Sequence, residues 1–101
     1  MSSFILTNMA FADLKDIGRY TQNQWDREQR DTYLTMLDAC FHQLAAAPLK
    51  GKDCSDIRNG YRKHTAGSHV IFYRQLFNDT IEIVRVLHGR MDIEMRLSES
   101  S

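Results

Sequence analysis

A long amphipathic segment that ends at the chain's single proline constrains the fold more than any other feature of this sequence. Asp26 can cap a helix, because Gln29 stands three residues later in capping-box position and Glu28 is favourable in the first turn. Pro48 cannot continue a helix interior, so the segment ends before it. The apolar residues recur at helical spacing and predict one buried stripe: Tyr33, Leu34, Leu37, Cys40, Phe41 and Leu44.

A shorter amphipathic stretch precedes this segment. Thr7 or Asn8 can cap its start, and its pattern ends near residues 23–25. Two helices joined by so short a break must form an antiparallel hairpin, here over about residues 8–47. The predicted stripe consists of Ala10, Leu14, Ile17 and Thr21, with Tyr20 alongside.

The rest of the chain reads as strands and loops. A short strand at residues 4–6 opens the chain, and the pattern predicts three more at 61–65, 69–77 and 81–88. Residues 49–60 read as a loop with one helical turn, and 89–101 as a tail with a helical turn at 91–97. The order β, α, α, β, β, β predicts a single α+β domain over 1–101, in which the helical hairpin packs on one face of a small antiparallel sheet. The other face is then expected to meet solvent or a partner.

Charge is balanced over the whole chain but not along it. With 13 basic and 13 acidic residues, net charge gives no argument for nucleic-acid or membrane binding. Residues 50–74 nevertheless hold six basic residues against two acidic ones, a band that suits an acidic partner. The basic residues of this band are Lys50, Lys52, Arg58, Arg62, Lys63 and Arg74.

Cysteine and histidine usage predicts neither a disulfide framework nor a metal site. Cys40 and Cys54 read as free thiols of a reducing compartment. His64, His69 and Cys54 match no zinc spacing, so no metal and no cofactor are expected. The N-terminus lacks a signal-peptide pattern, and no run approaches the ~20 apolar residues that span a bilayer. We therefore expect a soluble cytoplasmic protein.

The last predicted strand carries an arginine in its middle, within the run T-I-E-I-V-R-V-L-H-G-R-M-D from Thr80. Strand alternation suggests that Val84 and Val86 lie under the helices and Arg85 lies on the open face, although the reverse placement is also compatible with the pattern. An unpaired buried guanidinium is too costly to retain, so Arg85 needs water or a carboxylate partner.

Four segments of the chain carry a resemblance to a known family. They are I-L-T-N-M-A-F-A-D-L-K-D-I-G-R-Y-T, I-R-N-G-Y-R-K-H, G-S-H-V-I-F-Y-R and I-V-R-V-L-H-G-R-M-D. In this order and spacing, from about Phe4 to Leu97, they resemble the ParE toxins of bacterial toxin–antitoxin modules, within the RelE/ParE superfamily. The family fold is a helical hairpin on a small antiparallel sheet, which agrees with the pattern-based prediction.

The resemblance implies a toxin that is not an enzyme. ParE-like toxins inhibit DNA gyrase by trapping its DNA-cleaved state, which blocks replication. A co-encoded ParD-like antitoxin, whose flexible C-terminal part folds onto the toxin, keeps it silent in a hetero-oligomer. The toxin alone is not expected to bind nucleic acid sequence-specifically.

Two groups of candidate site residues follow from the basic band and from the last strand. Antitoxin binding is assigned to Arg62, Lys63 and Arg74, because antitoxin tails of this kind tend to be acidic. Gyrase inhibition is assigned to the strand end and the start of the tail: Arg85, His88, Arg90 and Met91.

RelE-like relatives suggest a rival function, ribosome-dependent mRNA cleavage. In that case Arg62 and Arg85 would stabilise charge and His88 would be the general base. Several RNA-cutting relatives carry a tyrosine near the C-terminus, whereas the last tyrosine here is Tyr73. A toxin with another target, or an inactive toxin copy, is the remaining alternative.

Overall fold

The computed structural model describes residues 2–77 and 79–89, and these form an α+β structure of two helices and five strands. The helix predicted at 91–97 lies outside the described residues. The helices and strands are β1 (Ser3–Leu6), α1 (Asn8–Gln24), α2 (Arg27–Ala46), β2 (Lys52–Asp53), β3 (Tyr61–Ala66), β4 (His69–Gln75) and β5 (Thr80–His88). A 3-10 turn at Pro48–Lys50 follows α2.

Both helices begin at the predicted caps. The side chain of Thr7 accepts a hydrogen bond from the Ala10 N–H at 3.0 Å, and that of Asp26 accepts one from the Gln29 N–H at 2.8 Å. Each bond satisfies one of the amide groups that a helix start leaves unpaired. The helices form the predicted hairpin, with one correction: Tyr20, expected alongside the buried stripe, is 65% exposed.

The sheet has the strand order β1-β5-β4-β3-β2. Neighbouring strands are antiparallel except β1 and β5, which run parallel with Ser3 opposite Thr80 and Leu6 opposite Ile83. The first strand of the chain therefore lies beside the last. Two residues of the predicted 49–60 loop form β2, which pairs with β3.

Both faces of the sheet carry buried apolar residues. The helix-facing core includes Ile71, Tyr73, Ile81, Ile83 and Val86, packed with Leu37, Phe41 and Leu44 of α2. The second face holds a smaller cluster: Cys54, Tyr61, Phe72, Val84 and Leu87, with Ile57 and Val70 partly buried against it. The expectation that this face meets solvent or a partner is therefore wrong for its centre, which is buried within the chain.

A β-bulge explains why simple alternation failed on β5. Tyr73 pairs with Ile83 and Phe72 pairs with Arg85, which leaves Val84 as the additional residue. Ile83 and Val86 consequently belong to the same core although they are three positions apart. Val86 lies under the helices as expected, whereas Val84 lies in the second-face cluster and that part of the prediction is wrong.

Candidate functional site

Arg85 is an internal structural residue rather than a group on an open face. It is 6% exposed, and the Asp13 carboxylate of α1 accepts two hydrogen bonds from it, from Nε at 2.8 Å and from Nη2 at 2.9 Å. The predicted open-face placement of Arg85 is wrong, because its side chain is buried and its guanidinium reaches Asp13 on α1. The requirement for a carboxylate partner is met.

Asp13 also belongs to a set of contacts by which α1 completes the edge of β5. The pairing of β5 with β1 ends at Ile83. After this point the edge of β5 is hydrogen-bonded by α1 and by Thr7, the residue before α1. The Thr7 N–H donates to the Ile83 carbonyl at 3.1 Å, and the Thr7 hydroxyl donates to the Val84 carbonyl at 2.8 Å. The Val86 N–H donates to Asp13 at 3.0 Å. These contacts satisfy backbone groups of β5 whose burial without a hydrogen bond would cost free energy.

The far end of β5 lies in a cluster of Tyr33, His69 and His88, which we call the histidine corner. His69 and His88 are opposite each other on β4 and β5, with ring centroids 5.3 Å apart and planes at 82°. The Tyr33 hydroxyl lies 2.6 Å from His69 Nδ1 and accepts a hydrogen bond from the Ser68 N–H at 3.0 Å. Of these residues only His88 is predicted as a candidate from the sequence; Tyr33 is missed, and His69 is considered only as a metal ligand.

Burial lowers the pKa of His69 below its ordinary value, and the neighbouring His88 lowers this pKa further. The negative charge of Asp13 opposes both effects. The buried environment therefore favours the neutral imidazole at this position. Sequence order could not reveal this environment, because it depends on the β4–β5 register and on contact with α2.

The structure divides the predicted antitoxin-binding residues between the two faces of the sheet. Arg62 is opposite Tyr73 on the helix-facing side, and its Nη1 donates to the Gly51 carbonyl at 2.7 Å. Lys63 is opposite Phe72 on the second face. Arg74 is 48% exposed in its side chain and pairs with Glu82 at 2.8 Å. Lys63 and Arg74 thus share a face that Arg62 does not.

The structure does not bring together the residues that the rival function, RNA cleavage, would need. Arg62 lies at the level of Tyr73, whereas His88 is opposite His69 at the other end of β4. Four strand residues separate these levels by roughly 13 Å. Arg85 is held by Asp13, as described above. Arg90 and Met91, the other two candidates for gyrase inhibition, lie outside the described residues.

Tyr73, the last tyrosine of the chain, is a buried anchor. Its hydroxyl donates to the Pro48 carbonyl at 2.6 Å and accepts from the Gly51 N–H at 2.9 Å. Burial raises the pKa of this phenol, against smaller opposing effects of the Gly51 hydrogen bond and Arg62. Tyr73 therefore fixes the segment that leads from α2 into β2.

Cys40 and Cys54 are both free thiols, in agreement with the sequence prediction. Within residues 2–77 and 79–89, no group of three or more His, Cys, Asp or Glu side chains could hold a metal ion. In the same part of the chain, neither helix combines the length and apolar character needed to cross a membrane.

Comparison with known proteins identifies relatives along nearly the whole chain. Residues 4–93 match the family described as "ParE toxin of type II toxin-antitoxin system, parDE". The chain is 43% identical over 96 residues to Toxin ParE1 of Mycobacterium tuberculosis, covering 95% of this chain and 98% of that protein. It is 38% identical over 97 residues to Toxin ParE1 of Caulobacter vibrioides, covering 96% and 99%.

A solved structure supports the fold. A chain of the chromosomal ParDE TA system from P. aeruginosa superposes with a TM-score of 0.73 at 20% sequence identity. The match covers 87% of the present chain and 95% of the other one. At this level of identity the likeness concerns the fold, a helical hairpin on a small, mostly antiparallel sheet.

Proposed function

The chain belongs to the ParE toxin family of parDE type II toxin–antitoxin systems, and from this premise we propose that it is a toxin that inhibits DNA gyrase. In the proposed mechanism the toxin traps gyrase in its DNA-cleaved state, and this blocks replication. A ParD-like antitoxin neutralises it in a hetero-oligomer. The observation that carries the proposal is the family match over residues 4–93.

The proposed mechanism is one of binding rather than catalysis by the toxin. Strand cleavage belongs to gyrase, so the toxin needs a surface that stabilises the cleaved complex. The separation of Arg62 from His88, and the engagement of Arg85 by Asp13, support this view over RNA cleavage, which requires such groups to converge on one phosphate.

The gyrase-binding surface is proposed to begin at the end of β5. His88 lies there, and Arg90 and Met91 follow it in the sequence. Arg85 belongs to this set through a different role, because its pairing with Asp13 fixes the strand that presents His88. Alanine at His88, Arg90 or Met91 should therefore reduce gyrase trapping without the large loss of stability expected when the buried pair is broken.

The purified toxin without its antitoxin tests the function directly. It is added to gyrase with plasmid and, separately, to ribosomes programmed with mRNA. We expect supercoiling to stop, cleaved plasmid to accumulate and the mRNA to stay intact. Codon-dependent mRNA cuts with unaffected gyrase would instead establish the endonuclease function. If the protein has no effect in either assay, the proposal is contradicted and the protein is an inactive toxin copy.

Antitoxin binding is proposed to use the positive charges of Lys63 and Arg74. Reversing both, with Lys63→Glu and Arg74→Glu, removes two attractions to acidic antitoxin residues. Each exposed pair contributes up to about 1 kcal/mol, so the dissociation constant should rise roughly tenfold at low salt. Titration calorimetry at two ionic strengths measures both the loss and its salt dependence.

Arg19→Glu is the matched control for this experiment. Its side chain is exposed on α1, and its carboxylate partner Asp16 lies 4.0 Å away. Arg62 is left unchanged, because its reversal would also break the hydrogen bond to Gly51. Equal affinities for the double variant, the control and the unmodified toxin at low salt would refute a role of this charge pair.

A further inference from the structure

The histidine corner stands where the chain leaves the sheet towards Arg90 and Met91. We propose that Tyr33 and His69 are positioning residues for His88, and that they hold the end of β5 in the conformation that gyrase recognises. This inference rests on the proposed function, since it concerns how the same surface is held. No residue of the corner is assigned a catalytic role.

Tyr33 connects the corner to the helical layer. Its hydroxyl contacts His69 Nδ1, the Ser68 N–H and, at 3.5 Å, the Ala66 carbonyl, so one phenol of α2 holds the whole β3–β4 turn. The turn admits this phenol only because Gly67 has no side chain. A Cβ there would lie 2.8 Å from the Tyr33 oxygen, and the φ of 59° is one that glycine adopts readily.

His69 transmits this restraint to the end of β5. Its ring packs edge-to-face on both neighbours, with centroids 5.5 Å from Tyr33 and 5.3 Å from His88. The Gly89 N–H donates to the Ser68 carbonyl at 3.1 Å and closes the same end of the strand pair. The turn held by Tyr33 therefore also fixes the last two described residues of the chain.

The charges that face His69 make this packing depend on pH. Tyr33 faces it from α2 and His88 from β5, while the carboxylate of Asp13 on α1 acts on it and is itself paired with Arg85. The pKa of His69 is lowered in the folded protein, chiefly by burial. The stability of the corner is therefore fully present above the ordinary value of 6.5 and is lost as the pH falls through the folded-state value.

The first test is an NMR titration of the histidine rings in the intact toxin. We expect the pKa of His69 to lie below 6.5, and to lie closer to 6.5 in His88→Gln, which removes the neighbouring imidazole that lowers it. A His69 midpoint at or above 6.5 in the unmodified protein overturns the proposal. That result needs no variant, so it stands even if His88→Gln fails to fold.

The second test measures gyrase trapping by Tyr33→Phe, which loses only the hydroxyl. We expect roughly three- to tenfold weaker trapping at pH 7.5, the effect of losing one hydrogen bond. Tyr20→Phe is the matched control, because Tyr20 is exposed on α1, and it should trap as the unmodified toxin does. A folded Tyr33→Phe variant with full potency overturns the positioning role.

The third test uses the pH profile, which a purely structural role would not alter. His69→Gln keeps a polar group but cannot become a cation. Its trapping relative to the unmodified toxin should rise as the pH falls from 7.5 through the His69 midpoint found in the ring titration, and this ratio cancels the pH response of gyrase itself. A ratio that stays flat across that midpoint overturns the proposal. If the unmodified toxin traps no gyrase at any pH, the proposed function fails instead, and the ring titration alone decides the coupling within the corner.

Discussion

Replacing Asp13 with alanine is expected to lower the free energy of unfolding by about 3–5 kcal/mol, because it removes the carboxylate that accepts two hydrogen bonds from the buried Arg85 guanidinium. The Val86 N–H loses its acceptor in the same variant. For a chain of this size the melting temperature should fall by roughly 12 °C or more. Urea unfolding followed by circular dichroism gives the free energy, and thermal unfolding gives the temperature shift.

Asp16→Ala provides the control on the same helix. Asp16 is exposed and meets Arg19 only at 4.0 Å, so its loss should change the stability by less than about 0.5 kcal/mol. Replacing both members of the buried pair by apolar residues, as in Asp13→Leu with Arg85→Met, should recover most of the loss. A single Asp13→Ala variant as stable as the Asp16→Ala control would show that the pair does not hold α1 on β5.

The second large effect is expected at Gly51, where alanine should cost about 3 kcal/mol through overpacking and a disturbed hydrogen bond. A Cβ at this position would overlap the Tyr73 hydroxyl and approach the Lys63 carbonyl to 2.9 Å. Tyr73 cannot easily move away, because its ring is fully buried and its hydroxyl is bonded at both Pro48 and Gly51. Urea unfolding again measures the loss.

Gly60→Ala separates the cost of steric overlap by the added Cβ from the cost of a left-handed backbone conformation. Gly60 has a φ of 83° with no atom within 4 Å of an added Cβ, so its substitution should cost about 1–2 kcal/mol from the left-handed conformation alone. In a Tyr73→Phe background, Gly51→Ala should cost less than in the unmodified chain, because the overlapping hydroxyl is gone. Equal costs in both backgrounds would show that the Tyr73 hydroxyl is not the atom that opposes the added Cβ.

The helical hairpin could be predicted because its signals are local. Thr7 and Asp26 each cap a helix through an amide only three residues away, so the chain segment itself contains both partners. The apolar spacing of α2 likewise requires no knowledge of the sheet. The same reasoning located the three C-terminal strands within about two residues.

The site could not be predicted because its contacts are long-range. Asp13 and Arg85 are 72 positions apart, and the bulge at Val84 breaks the alternation of faces, so that Ile83 and Val86 lie in one core. The histidine corner depends on the opposition of His69 and His88 across two strands and on Tyr33 from a third element. Neither cross-strand register nor a bulge leaves a distinct mark in one sequence.

The parallel pairing of β1 with β5 has a consequence for synthesis of the chain on the ribosome. Residues 3–6 are translated before β2, β3 and β4, whereas their partners at 80–83 are translated after them. Closing so long a loop is slow and must await the arrival of β5. A nascent chain that has not reached β5 therefore lacks the strand that joins β1 to β4, and we expect the sheet to close only after residues 80–88 have been made.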